Sequence, residues 1–263
     1  MPGILHGEIA IVTGAGKGIG EAVARALAEA GARVAVTSRV AADAERVATS
    51  LGSGHVGLGM DVRSSAAVDD AVAAAAEALG TPTILVNNAG VNTLGPSESY
   101  ADDDWDRIVD VNLTGVFRCC RAAGAVMLEA GRGSIVNVAS IVGATVGMPW
   151  RAPYASSKAG VVGLTRTLAV EWAGRGVRVN ALLPGPVRTA MIDVAIDQGA
   201  VDAQNVIDHT PAGRWAVPSD IAEAVVLLCA PGAGFVTGQA LVVDGGYATF
   251  GAAHPAARGF GES

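Results

Sequence analysis

"EIAIVTGAGKGIGEAVARALAEAG", Glu8 to Gly31, contains three local structures in one line. The apolar run after Glu8 has strand character. Thr13 to Gly20 is rich in glycine, and the Ala-rich stretch from Glu21 has helical character. A glycine turn between a strand and a helix is the context that a dinucleotide phosphate site needs. Gly14 permits the tight turn. Gly18 and Gly20, with Ile19 between them, let backbone approach a pyrophosphate and let the helix lie close to the sheet. The helix start then offers free N–H groups to the anion. A nucleoside-triphosphate loop is excluded, because Lys17 is followed by Gly18 rather than by Ser or Thr.

The second apolar run ends in "TSRV". A site for NAD places Asp or Glu near this end to hold the ribose 2′-hydroxyl. Ser38 and Arg39 stand there instead. With no carboxylate to repel a 2′-phosphate, and with Arg39 and Lys17 in reach of one, the pattern favours NADP, with NAD as the alternative.

Outward from this unit the same alternation continues. Apolar runs start at Glu8, Ala32, His55, Thr83, Gly133, Val177 and Ala240, with helical stretches between them. Continuous apolar strands separated by helices imply βαβ units, and so a parallel sheet covered on both faces. Right-handed crossovers make this a doubly wound α/β Rossmann fold with a seven-stranded parallel sheet. No linker divides residues 1–263, which are expected to form a single domain. The final stretch, "AAHPAARGFGES", is expected to be a surface tail or an oligomer contact.

Composition narrows the function. Hydrophobic residues are 51% of the chain, charged residues 16%, and the formal net charge is −7. No basic run is present, which argues against nucleic acid. Apolar runs break well short of a membrane span, and the N-terminus has no secretory signal pattern. A cytoplasmic protein is expected, with Cys119, Cys120 and Cys229 reduced and buried. The four histidines have no metal-ligand spacing, so no metal site is expected.

"YASSK" sets Tyr154 four residues before Lys158, on one helix face. Taken alone, such a pair is most often a helix-surface pair. The alternative is a phenol tuned by a cation for proton transfer. A phenol near pKa 10 donates and accepts protons at neutral pH only if that pKa falls. A neighbouring ammonium favours the phenolate.

The chain resembles the short-chain dehydrogenase/reductase family over about Glu8 to Tyr247. The matching motifs come in the family's order: "TGAGKGIG" at Thr13, "MDV" at Met60, "NNAG" at Asn87, "VNLTG" at Val111, Ser140, "YASSK" at Tyr154, "LPGPVRT" at Leu183 and "VDGG" at Val243. The resemblance implies an oxidoreductase that interconverts a ketone and a secondary alcohol, with an Asn–Ser–Tyr–Lys tetrad at Asn112, Ser140, Tyr154 and Lys158. Tyr154 would be the general acid/base, Ser140 would hold the carbonyl oxygen, and Lys158 would bind the nicotinamide ribose. Asn112 would hold a water linking Lys158 to solvent. Asp61 and Val62 would line the adenine pocket, and Asn88, Ala89 and Gly90 would run along the ribose. Pro184, Gly185, Val187 and Thr189 would cradle the nicotinamide. The substrate would be a small carbonyl or alcohol compound. 3-Oxoacyl-thioester reduction and sugar or polyol oxidation with NAD are alternatives, and a regulator that has lost catalysis is a remoter one.

Thirteen residues separate Ser140 from Tyr154, one more than the family commonly has. The extra residue is expected near "GMPWRAP", where Trp150 would wall the pocket. Residues 190–211 alternate apolar and acidic side chains and are expected to form an amphipathic lid over an apolar, uncharged substrate. The helices around 101–130 and 154–173 carry apolar residues on several faces, including Val116, Phe117, Val126, Val162, Leu168 and Trp172. They are expected to pair in a homotetramer, as the resemblance also implies.

Overall fold

The computed structural model describes residues 3–199 and 201–250. The tail expected at the C-terminus and Ala200 of the expected lid lie outside these residues, as does the side chain of Met191.

Seven strands form one sheet: β1 (Ile9–Val12), β2 (Arg33–Ser38), β3 (Val56–Gly59), β4 (Ile84–Asn87), β5 (Gly133–Val138), β6 (Val177–Pro184) and β7 (Ala240–Val243). Their spatial order is β3-β2-β1-β4-β5-β6-β7, and every pairing is parallel. The order reverses direction between β1 and β4, where a doubly wound fold opens its ligand crevice. All seven expected strands form.

On one face lie α1 (Gly18–Glu29), α2 (Ala41–Leu51) and α10 (Pro218–Cys229). The other carries α3 (Ser65–Leu79), α4 (Asp102–Val109), α5 (Gly115–Ala130) and α7 (Ala152–Trp172). β1 and β4 are buried along their whole lengths, as the unbroken apolar runs require. A short helix, α6 (Ile141–Ala144), follows β5, and α8 (Ala190–Asp197) and α9 (Ala203–Asp208) follow β6.

The apolar residues on α5 and α7 are largely used within the subunit. Val116, Val162 and Leu168 are buried. Trp172 lies over Gly124, where a Cβ would meet its ring at 2.7 Å. Phe117 stays exposed with Arg121 stacked over its ring at 5.9 Å, and Val170 is also exposed. The three cysteines are free and buried. Among the described residues no helix is long and apolar enough to cross a membrane.

Candidate active site

The glycine turn is locked to β4 by side chains. Thr13, buried, accepts through Oγ1 from the N–H groups of Asn88 and Ala89, each at 3.0 Å. The Asn88 amide donates to the carbonyls of Thr13 (3.0 Å) and Gly14 (3.1 Å). The Asn88 side chain thus stitches the glycine turn to the end of β4. Gly14 has φ +63°, and a Cβ there would stand 2.7 Å from Ala89 Cα, so both backbone conformation and space require glycine. At Gly20 the position of a Cβ is filled by the Asn88 amide at 2.4 Å.

The geometry of the turn fits a dinucleotide. No side chain caps α1, whose N-cap is Lys17, so its first N–H groups are open to an anion. A Cβ on Gly18 would meet nothing nearer than Thr189 Cγ2 at 3.9 Å, which sets Thr189 opposite the turn. Val187 is buried in the core and holds its segment by a bridge to Ala216. Pro184 ends β6, and Gly185 presses against Asp244, which would contact a Cβ at 2.6 Å. Asp244 accepts from the N–H groups of Gly246 and Ala248 and so fixes the last turn beneath this cradle.

At the end of β2, Ser38 is half-buried and Arg39 exposed. Two further residues converge here that the sequence reading missed. Arg46 donates to the Gly16 carbonyl at 2.6 Å while pairing with Glu21 at 3.2 Å. Asp43 brings its Cβ within 2.8 Å of where a Gly16 Cβ would be. α2 thus returns Asp43, which the sequence pattern at β2 did not bring forward, to the glycine turn. The Asp61 carboxyl is lowered from its ordinary pKa, first by its hydrogen bonds to the Arg63 side chain and further by Arg39. Val62 is buried, with Gly115 so close that a Cβ there would meet it at 2.8 Å.

The four tetrad residues come together from three elements. Asn112 sits in a π-helical turn, Asp110–Thr114, between α4 and α5. Such turns displace one residue from the helical ladder and recur at functional sites. Fully buried, its amide clasps Val91, accepting from the N–H at 2.8 Å and donating to the carbonyl at 2.9 Å. It also donates to Ser157 Oγ at 3.2 Å. Ser157, buried and one position before Lys158, donates in turn to the Tyr154 carbonyl at 2.7 Å. It links Asn112 to the helix turn bearing the phenol, a role that spacing alone could not disclose.

Ser140 ends the β5 crossover and accepts from the Val142 N–H at 3.1 Å. It is also hydrogen-bonded to the Tyr154 side chain. Pro153, in the first turn of α7, starts the helix that carries Tyr154 and Lys158. Lys158 is buried and donates to the Val138 carbonyl at 2.8 Å, and its Nζ is 5.8 Å from the centre of the Tyr154 ring. Gly90 closes the group: a Cβ there would be 3.4 Å from Asn112 Oδ1 and 3.6 Å from Lys158 Nζ.

The electrostatics differ from the sequence expectation. Burial pushes the Tyr154 phenol above its ordinary pKa, while the Ser140 hydrogen bond and the Arg151 charge pull it down. Burial also lowers the Lys158 ammonium to about 8. In the protein alone the desolvation of the phenol outweighs the Ser140 hydrogen bond and the Arg151 charge. The tuning cation nearest solvent is Arg151, which the sequence reading did not single out.

Beneath the site a buried polar chain crosses the layers. Asn87 donates to Asn137 Oδ1 (2.8 Å) and Cys120 Sγ (3.2 Å), and Asn137 donates to Thr165 Oγ1 (2.9 Å). It ties β4 and β5 to α5 and α7, the helices that carry the site.

A family model described as enoyl-(acyl carrier protein) reductase matches residues 14–248. The chain belongs to the short-chain dehydrogenase/reductase family. A D-threitol dehydrogenase from Mycolicibacterium smegmatis is 45% identical to it over 246 residues, covering 92% of this chain and 94% of the relative. A galactitol 2-dehydrogenase (L-tagatose-forming) from Cereibacter sphaeroides is 44% identical, covering 92% and 96%. A gluconate 5-dehydrogenase structure from Burkholderia cenocepacia, in complex with NADP and tartrate, superposes with a TM-score of 0.88 at 35% identity, covering 93% of this chain and 96% of that one. As a short-chain dehydrogenase/reductase the protein is an oxidoreductase that uses a nicotinamide cofactor and interconverts a ketone and a secondary alcohol.

Proposed function

We propose that the protein is an NADP(H)-dependent enzyme for a small-molecule ketone and alcohol pair, with Tyr154 as general acid/base. The observation that carries this reading is the Tyr154 phenol hydrogen-bonded to Ser140, with Lys158 Nζ 5.8 Å from the centre of its ring. The nicotinamide cofactor supplies or accepts the hydride when bound. Ser140 and Tyr154 hold the substrate oxygen, and Tyr154 gives up or takes the proton at its hydroxyl. Lys158 and Gly90 lie beside the ribose. Asn112 and Ser157 keep the Tyr154 turn in position, and Asn112 is the residue through which a water would link Lys158 to solvent. Ile19, Gly18 and Gly20 face the pyrophosphate. Asp61 and Val62 flank the adenine, Ala89 and Gly90 the ribose, and Pro184, Gly185, Val187 and Thr189 the nicotinamide.

NADP over NAD rests on Arg39, Lys17 and Arg46 around the end of β2, against the single Asp43. The two polyol dehydrogenase relatives favour a polyol or sugar as the alternative substrate class. Residues 190–211 act as a lid over the substrate. Met191 and Ala200 aside, no residue from Ala190 to His209 is fully buried, and Trp215 Nε1 tethers α9 by donating to the Ala203 carbonyl at 3.1 Å. The exposed Phe117 and Val170 suit a homotetramer, which light scattering tests: a monomer near 26 kDa would overturn it. The buried free thiols suit the cytoplasm. A spectrophotometric panel of ketones, acyl thioesters and polyols with each cofactor tests the reading. It fails if no carbonyl or alcohol in the panel is turned over.

A further inference from the structure

Trp150 has φ +62° and is the one non-glycine residue with positive φ among the described residues. A bulky side chain in the left-handed region costs roughly 1–2 kcal/mol and persists only where its surroundings hold it. Here the Gly95 N–H donates to the Trp150 carbonyl at 3.1 Å, pinning the lengthened loop to the segment after β4. The next residue, Arg151, is the N-cap of α7. The strained bend thus fixes where α7 begins and which side chain precedes it.

Arg151, Tyr154 and Lys158 stand at i, i+3 and i+7 of one helix, so they form a single stripe. Lys158 occupies the inner end, buried against Val138. Arg151 occupies the outer end and is half-exposed. Among the described residues its guanidinium makes no hydrogen bond or ion pair, and the first turn of α7 has no acidic residue. Arg107 and Arg188, in neighbouring segments, are each paired with a carboxylate, Asp104 and Asp193. An unpaired arginine beside the reacting group of a chain with net charge −7 is a vacant place for an anion.

We propose that Arg151 selects a substrate bearing a carboxylate close to the reacting carbonyl, so that the enzyme works on short oxo acids and hydroxy acids. This rests on the reading of Tyr154 as the group that holds the substrate oxygen. Residues three apart differ by about 4.5 Å along the helix axis. A substrate oxygen held at Tyr154 therefore leaves a neighbouring carboxylate within one helical turn of Arg151. In the protein alone the guanidinium also draws the phenol's pKa down. The redox balance is that of the family's reaction: hydride adds to the carbonyl carbon, the C=O π pair moves to oxygen, and oxygen takes the Tyr154 proton.

The test compares 3-oxobutanoate and 2-oxobutanoate with their methyl esters, which keep the carbonyl and lose the charge, using NADPH or NADH. In the wild type, kcat/KM for the better acid should exceed that for its ester by at least about tenfold. Arg151→Met should bring that ratio close to one, mainly through KM for the acid, and Arg151→Lys should restore part of it. A purely structural role would lower both substrates together and leave the ratio unchanged. A wild-type ratio of one or less overturns the proposal, as does a ratio that Arg151→Met does not change. Turnover of neutral ketones or polyols without the acids overturns it too, while sparing the reading of Tyr154. Absence of turnover with any carbonyl compound removes both.

Discussion

Lys158 Nζ lies 5.8 Å from the centre of the Tyr154 ring, yet its hydrogen bond goes to the Val138 carbonyl at 2.8 Å. The ammonium therefore shares no proton with the phenol, and the groups that pull the phenol's pKa down are Ser140 and Arg151. In the protein alone, burial holds the phenol's pKa up and the ammonium's down to about 8. The two shifts have one cause, a pocket that is dry at the level of both groups.

Tyr154→Phe preserves the ring and removes the proton. Turnover should fall by about 10²–10⁴-fold, with Tm changed by only a few degrees. Steady-state kinetics beside a thermal melt checks this. Near wild-type turnover on a good substrate would end the assignment of Tyr154.

Alcohol oxidation needs the phenolate, so its rate should rise with pH through the phenol's pKa. Ser140 and Arg151 both pull that pKa down. Ser140→Ala and Arg151→Met should each move the rising limb to higher pH. A limb that stays in place in both variants would show that another group titrates.

Lys158 titrates near 8 when folded and near 10.5 when unfolded. Below pH 8 both states hold the proton, and the penalty for the buried charge is constant. Between about pH 8 and 10.5 the unfolded state binds more protons, so stability gains up to about 3 kcal/mol as pH rises. Lys158→Met lacks this gain. The wild-type Tm minus the variant Tm, measured without cofactor, should increase across that window, and a flat difference would contradict the buried ammonium.

Asn112→Ala removes the clasp on Val91 and the bond to Ser157. Loss of these bonds should cost about 1–3 kcal/mol and lower turnover by loosening the Tyr154 turn. Chemical denaturation and kinetics on the same preparation check both effects. Unchanged stability would mean that the π-turn does not depend on the clasp.

Arg39→Asp should shift the ratio of kcat/KM from NADP(H) toward NAD(H) by removing a charge-assisted partner of the 2′-phosphate and adding repulsion. A wild type that already prefers NAD(H) would assign the deciding influence to Asp43.

The sequence by itself determined the seven strands, their parallel pairing and the glycine turn. Each is written in local pattern: an unbroken apolar run such as Ile9–Val12, or a glycine where φ is positive, as at Gly14. It also named Asn112, Ser140, Tyr154 and Lys158, which motif order identifies without coordinates. Only the tertiary structure decided what depends on residues far apart in the chain. The Asn88 amide reaches the glycine turn because the missing Cβ of Gly20 leaves room for it. Asp43 and Arg46 meet Gly16 because α2 folds back over β2. Whether the phenol's pKa rises or falls depends on how much water the folded chain excludes, and the spacing of Tyr154 and Lys158 does not record this. Arg151 looks like any surface arginine until the bend at Trp150 sets it, without a partner among the described residues, at the outer end of the stripe that Tyr154 and Lys158 share.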